Sequence, residues 1–335
     1  MKTFILRRLA LLVFVLLGVS LLTFFISHVV PADPARLAAG AHATGKQVEA
    51  LRQKMGFDRP LPEQYWRYLT GLVRGDLGYS LASRRPVVED LKDYFPATVE
   101  LTVAAMVICL IVGIPLGVVS AVRKNSWVDH LGRVVCIGGV ALPIFWLALL
   151  FQLIFYRWLG LVPAGGRLDP GMVHPQTITG LYVLDSLVTG NWSVLQNSLA
   201  HLVMPAITLA FASLAWVARV TRTSMLETLG QDYIRTARGK GHSERGVVFQ
   251  HALRNALIPT VTLVGLQTGA LLAGAFLVEI IFSWPGIGYY TVNAIMAMDF
   301  NAIISTTLLV AVVYTVTNLV VDVAYVALDP RIKYQ

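Results

Sequence analysis

Six stretches of the chain stay apolar for long enough to cross a hydrocarbon core, which takes about 20 helical residues. They run Leu9–Val29, Val99–Val122, Val134–Leu159, Ala200–Val220, Leu257–Ile281 and Ile303–Val326. Polar residues return in clusters between them, so the pattern predicts an all-α integral membrane protein with six transmembrane helices. The first long loop carries two further helical segments, Gln47–Met55 and Glu63–Val73, separated by Pro60-Leu61-Pro62. The second is amphipathic and bears Tyr65, Trp66 and Tyr68. It either docks an external partner or anchors at the membrane interface, where aromatic rings collect.

The loop between the fourth and fifth spans has its own pattern. Leu226, Leu229, Tyr233 and Ala237 repeat at helical spacing, predicting a short amphipathic helix rich in Arg235, Arg238 and Lys240. Gly239 and Gly241 are expected to end it, since glycine supplies the positive φ of a helix stop. Ser243 would cap a second short helix, running through Val247, Val248 and Ala252 to Arg254 before Pro259 opens span five. Two short helices joined at a glycine turn and held between two spans make a lever. A push on it reaches both spans.

Composition changes the picture by exclusion. Charged residues are 14% of the 335 and apolar ones 56%, where an ordinary soluble domain has roughly 25% charged. Neither a water-soluble fold nor a disordered chain has that balance. The net charge of +8 points to an anionic inner leaflet, with no basic run interleaved with aromatics to suggest nucleic acid. With the N-terminus inside, 15 of the 27 basic residues lie on the cytoplasmic side, and the two short outer loops hold only Arg157 and Arg167. The long loop from Val30 to Thr98 balances 10 basic with 8 acidic residues, and long loops cross regardless of charge. Both termini are therefore expected in the cytoplasm. The first span follows Lys2, Arg7 and Arg8 and is read as a retained signal anchor, too long for a cleaved signal.

Small residues and prolines interrupt the spans: Gly113-x-x-x-Gly117 around Pro115, Gly138-Gly139 before Pro143, Pro205, and Gly265-x-x-x-Gly269 with Gly274. They suit either close helix packing or hinges. Cys109 and Cys136 fall in apolar runs and read as core-filling residues. The seven histidines have no metal spacing; His242 and His251 read as helix-surface residues. Asn191-Trp192-Ser193 matches a glycosylation sequon.

Charge inside a membrane is costly and marks candidate function. Four polar residues qualify as candidates for a translocation pathway. Glu100 follows Pro96 at the expected start of span two, where the helix dipole alone would also favour it. Glu279 lies near the outer end of span five, and Asn318 and Asp322 sit one turn apart in span six. No catalytic motif is present: His-Glu-x-x-His, Gly-x-Ser-x-Gly and Cys-x-x-Cys are absent. Gly239-Lys240 lacks the upstream glycine of a phosphate loop, Ile234 standing there.

The segment Glu227-x-x-x-x-Asp232-Tyr233-Ile234-Arg235-Thr236-Ala237-Arg238-x-Lys240-Gly241, followed by His251-Ala252-Leu253-Arg254-Asn255-Ala256-Leu257-Ile258-Pro259, resembles the EAA loop of ABC-transporter permeases. The peptide and nickel importer family is the best match. Leu6-Arg7-Arg8-Leu9, Gly75-Asp76-Leu77-Gly78, Ser83-Arg84-Arg85-Pro86-Val87, Pro96-Ala97-Thr98-Val99-Glu100-Leu101, Phe282-Ser283-Trp284-Pro285-Gly286-Ile287-Gly288 and Asp329-Pro330-Arg331-Ile332 fit the same family in order. Pro31-Ala32-Asp33-Pro34 fits with Ala32 in place of the family's usual glycine, and the stretch Gly241 to Pro259 is longer than the general EAA pattern. Gly165-Gly166-Arg167 and Ile178-Thr179-Gly180-Leu181-Tyr182 resemble dipeptide-type members most.

The resemblance implies a type I importer-like bundle with an extracytoplasmic lid. Residues 1–30 form the cytoplasmic N-terminus and first span, 31–98 the extracytoplasmic region, 99–328 a five-helix core with its coupling loop at 223–256, and 329–335 a cytoplasmic tail. It also implies an inner-membrane permease subunit working with a second, similar permease, two ATPase subunits and an extracytoplasmic solute-binding protein. ATP and magnesium would be bound by the ATPases and no cofactor by this chain, which is not itself an enzyme. Dipeptides or oligopeptides are the implied cargo, with nickel complexes or glutathione as alternatives. Ala237 and Gly241 would form the docking tip, with Asp232, Tyr233, Arg235, Arg238 and Lys240 around it. An ion-coupled secondary transporter, the competing class, has no place for such a loop.

Overall fold

The computed structural model describes residues 2–29, 36, 39, 43–56 and 58–328. Among these the chain is helical, with one isolated bridge between Tyr79 and Pro86. Two compact units divide it: the chain up to Pro96 with Gly286–Thr315, and Ala97–Pro285 with Val316 onward.

In the first unit, the Lys2–Val29 helix carries the first apolar stretch. Both helices expected outside the spans are present, as Gly45–Met55 and Leu61–Val73. A capping box between Thr44 and Gln47 starts the former, and Gly56 at φ +73° ends it. The latter lies on the first helix: Phe24 meets the rings of Tyr65 and Tyr68 at 5.2 and 6.0 Å, and Ser20 Oγ shares a 2.9 Å hydrogen bond with Tyr65. Trp66 remains exposed.

A second core in this unit joins Val87 and Leu91 to Ile287, Tyr290, Ala294 and Ala302. Its buried carboxylates are satisfied. Asp90 accepts from Ser83 Oγ at 2.5 Å and Tyr290 OH at 2.9 Å, and Asp299 accepts from Ser80 Oγ at 2.6 Å and Ala82 N at 3.0 Å. Burial, reinforced by the bond to Asp90, pushes the Tyr290 hydroxyl well above the ordinary tyrosine range. These contacts correct the expected start of the second span. The helix begins at Val87, not Val99, and runs unbroken to Val122. Its first turns look like loop because Glu89, Asp90, Lys92 and Asp93 depress the local hydropathy, yet Asp90 is buried.

The second unit is built on Trp192–Leu229, a 38-residue helix whose start is fixed by Asn191 Oδ1 accepting from Val194 N at 3.2 Å. It starts before the expected Ala200 and continues past Val220. The interrupting glycines serve it by close approach. A Cβ on Gly117 would sit 2.6 Å from the Ala218 carbonyl oxygen, and one on Gly139 2.5 Å from the Ala215 methyl. Gly265 meets Val321 in the same way, at 2.2 Å. At these three positions packing is the role the structure shows.

The third expected span is not one straight helix. Trp127–Ala141 and Ile144–Trp158 meet at 112°. Leu142 is extended, as the residue before a proline tends to be, and Pro143 starts the second half. The expected fifth span is corrected too. Pro259 does not open it but lies inside a helix that already runs from Glu244 to Leu272. A separate short helix, Phe276–Ile281, follows. Among the described residues four helices are long and apolar enough to cross a membrane, or five counting the bent pair.

Candidate functional site

The basic loop folds in a different register from the one its periodicity suggested. Leu226 and Leu229 belong to the end of the long central helix, which stops at Gly230, and a new helix covers Asp232–Gly239. Gly239 is helical. Gly241 alone takes the left-handed conformation, at φ +81°. There Gly241 N donates to Arg238 O at 2.9 Å and His242 N to Ala237 O at 3.3 Å, closing the helix end. Ser243 caps the next helix as expected, accepting from Gly246 N at 3.3 Å. That helix does not end at Arg254; it continues through a π-helical turn at Val247–Ala252 to Leu272.

Ile234 and Ala237 face inward, against Val118, Ala121, Met225, Val247, Val248 and Ala252. Ala237, expected at a docking tip, is 7% exposed and packs within its own chain. The polar residues face out. Arg238 forks onto Glu244 at 2.8 and 3.3 Å, Arg235 lies 3.4 Å from Asp232, and Tyr233 OH accepts from Asn255 Nδ2 at 2.8 Å. Lys240 is exposed. A Cβ on Gly241 would meet nothing within 4 Å, so only its backbone conformation restricts that position. His251, expected on the surface, is half-buried, and its ring meets that of His242 at 5.1 Å.

A second polar assembly lies elsewhere in the same unit. Glu100 sits deep inside its helix, which starts at Val87, so its position is not explained by a helix N-terminus. Its Oε2 accepts from Arg167 Nη2 at 2.5 Å and its Oε1 from Val183 N at 2.7 Å. Arg167 also donates to Gly180 O at 3.0 Å, and its guanidinium lies 3.5 Å from the centroid of Tyr182. Both partners of the ion pair are 6% exposed. Glu279 is fully buried and accepts from Thr98 Oγ1 at 2.7 Å, and Trp284 Nε1 donates to Ala97 O at 2.8 Å.

The loop after the third span is locked beside this cluster. Gly166 N donates to Phe282 O at 2.8 Å, and a Cβ on Gly165 would stand 2.2 Å from that oxygen. His201 meets Gly165 O at 2.8 Å and Asp169 at 3.2 Å. Burial pushes the Asp185 carboxyl up, but bonds from Thr179, Ile178 and Gly180 outweigh it and hold the group below the usual carboxylate range.

Glu100 and Glu279 thus each have a partner, and no described contact joins either to Asn318. Asn318 is half-buried on the last helix, and the Asp322 side chain lies outside the described residues, as do Pro31–Pro34 and Asp329–Ile332. Arg167 is the functional candidate that sequence reasoning missed. It looked like an ordinary basic residue of an outer loop, and its partner is 67 positions away.

Two family models match the chain: the binding-protein-dependent transport system inner membrane component over residues 113–334, and the N-terminal region of such membrane components over residues 1–102. A probable D,D-dipeptide transport system permease protein, DdpB of Escherichia coli K12, is 49% identical over 321 residues, 96% of this chain and 94% of that protein. The dipeptide transport system permease protein DppB of Alkalihalophilus pseudofirmus is 46% identical across 100% of both chains. The glutathione transport system permease protein GsiC of Escherichia coli O6:H1 is 38% identical, again over 100% of each.

Proposed function

The chain belongs to the family of binding-protein-dependent transport system inner membrane components, and from that premise we propose that it is a permease subunit of an ATP-driven dipeptide importer. The observation that carries this reading is likeness to dipeptide permeases over the chain's length, 46% identity over 334 residues, 100% of each chain. The protein is a multi-pass inner-membrane component. On our reading six helices cross, counting the Lys2–Val29 helix as one span and the bent pair as another, with both termini in the cytoplasm and residues 31–98 outside. The Leu61–Val73 helix and its exposed Trp66 then belong to an outer lid.

A second permease completes the pathway, two ATPases bind ATP and magnesium, and an extracytoplasmic binding protein delivers the peptide. The Asp232–Gly239 helix is the handle for an ATPase. Asp232, Tyr233, Arg235, Arg238, Lys240 and Gly241 form its outer surface, and Ala237 holds it to the helices beneath. Motion of the handle passes directly into Trp192–Leu229 and Glu244–Leu272, because it is joined to both by a few residues. The Glu100–Arg167 pair and Glu279 are buried and bonded within the chain, so on this reading they support the wall of the pathway, and Asn318 and Asp322 are the polar groups a zwitterionic peptide would meet.

The test is uptake of a labelled dipeptide into vesicles holding the complete importer, with glutathione as competitor. Uptake that glutathione blocks more strongly than a dipeptide does would move the cargo to the glutathione class. A Gly241→Asp variant should insert and assemble yet lose transport; normal uptake, or absence from the membrane, would overturn the handle assignment.

A further inference from the structure

A groove of about 580 Å³ opens where the Val87–Val122, Trp127–Ala141 and Trp192–Leu229 helices converge. That lies within the roughly 300–1,000 Å³ of ligand clefts. Its wall is apolar along Leu116, Ile137, Val140 and Ala218, and Ile137 and Val140 are themselves exposed. At one end stand three guanidinium groups, Arg133, Arg219 and Arg222.

Their charge is only partly cancelled. Asp129 is fully buried and takes a two-pronged bond from Arg222 at 2.7 and 3.0 Å, with Arg133 at 3.5 Å. Arg133 also contacts His130 Nδ1 at 3.0 Å. Among the described residues Arg219 meets no carboxylate; its guanidinium lies 5.8 Å from the Trp216 ring. Three cations therefore face one anion. The Ser120 hydroxyl also lines the groove, 2% exposed and without a hydrogen-bond partner among the described residues. Trp127, 74% exposed, begins the neighbouring helix near the same basic end, where an interfacial tryptophan belongs.

We propose that this groove binds one anionic phospholipid of the cytoplasmic leaflet, its phosphate on Arg219 and Arg133 and an acyl chain along Ile137 and Val140. Guanidinium is the side chain whose planar fork matches phosphate, and basic pockets between helices at the cytoplasmic face suit anionic headgroups. Charge complementarity selects the lipid over an apolar helix of a partner subunit, which would leave the excess positive charge uncompensated. The leaflet rests on the orientation proposed above; the binding does not.

The test uses the intact importer, delipidated in detergent and offered phosphatidylglycerol or phosphatidylcholine. Native mass spectrometry should show one phosphatidylglycerol retained in preference to phosphatidylcholine. Apparent affinity should fall about five-fold for Arg219→Gln and about thirty-fold for Arg133→Gln/Arg219→Gln, which leaves the Asp129–Arg222 pair intact. A phosphatidylglycerol with a photoreactive acyl chain should label the peptide containing Ile137 and Val140. Equal retention of the two lipids, no loss in the double variant, or labelling only elsewhere would each overturn the proposal. So would displacement by millimolar inorganic phosphate alone, or a crosslink from Ile137→Cys into the second permease. Labelling of a Lys124→Cys variant from either side of the membrane checks the leaflet separately, so failure of the orientation is distinguishable from failure of the site.

Discussion

Two arginine–carboxylate pairs in this chain share a chemistry and differ in nearly everything else. Arg167–Glu100 is 6% exposed on both sides and bonds across 67 positions. Arg238–Glu244 spans a helix end on the outer face of the loop, with side chains 42% and 68% exposed. The first has no water to fall back on, so its groups depend on each other. The second loses little if separated. A pair turned inward fixes one arrangement of the chain, whereas a pair turned outward leaves its charge available to a partner.

The comparison breaks most visibly at Arg167. Replacing it with methionine strands the Glu100 carboxylate and should cost about 3–5 kcal/mol, read as a lower unfolding temperature of the purified importer. Adding Glu100→Gln should return most of that loss; no recovery would mean the pair is not the source. Next in size is Gly165→Ala, whose Cβ has no room against the Phe282 carbonyl. About 1–3 kcal/mol of overpacking is expected there, and an unchanged unfolding temperature would show that the loop is not locked.

Asp185 sharpens the comparison through pH. Its carboxyl is held below the ordinary value, so its contribution is complete above about pH 4 and is lost as pH falls through the lowered folded value. An Asp185→Asn importer should therefore lose less stability on acidification than the parent, measured by unfolding temperature against pH. The smallest effect belongs to Arg238→Gln, at about 0.2–1 kcal/mol. If that variant destabilises as much as Arg167→Met, the outward pair is structural and the contrast fails. If it leaves stability alone while lowering uptake, the outer face acts on a partner.

Hydropathy made most of the helices legible, and local residue types marked the Gly241 stop of the loop helix but not where that helix begins. What escaped it had physical causes. Val87 begins a long helix although charged residues follow, because Asp90 is satisfied by Tyr290, which is 200 positions away. The bend at Pro143 was written in the sequence as a proline, but its 112° size was not. The inward turn of Ala237 was equally hidden, since periodicity identifies an apolar stripe without saying whether its own chain or a partner covers it.

By itself the sequence determined that lipid is this chain's solvent and roughly where its apolar stretches lie, and it marked one basic loop with a glycine stop. Those are local properties: transfer free energy is summed along a segment, and a glycine stop needs only its neighbours. The tertiary structure alone decided which charges are spent. Glu100 and Glu279 looked like open pathway groups and prove to be engaged, while Arg219 meets no carboxylate among the described residues. Whether an ion is paired depends on a partner brought close by folding, and no local pattern encodes that distance.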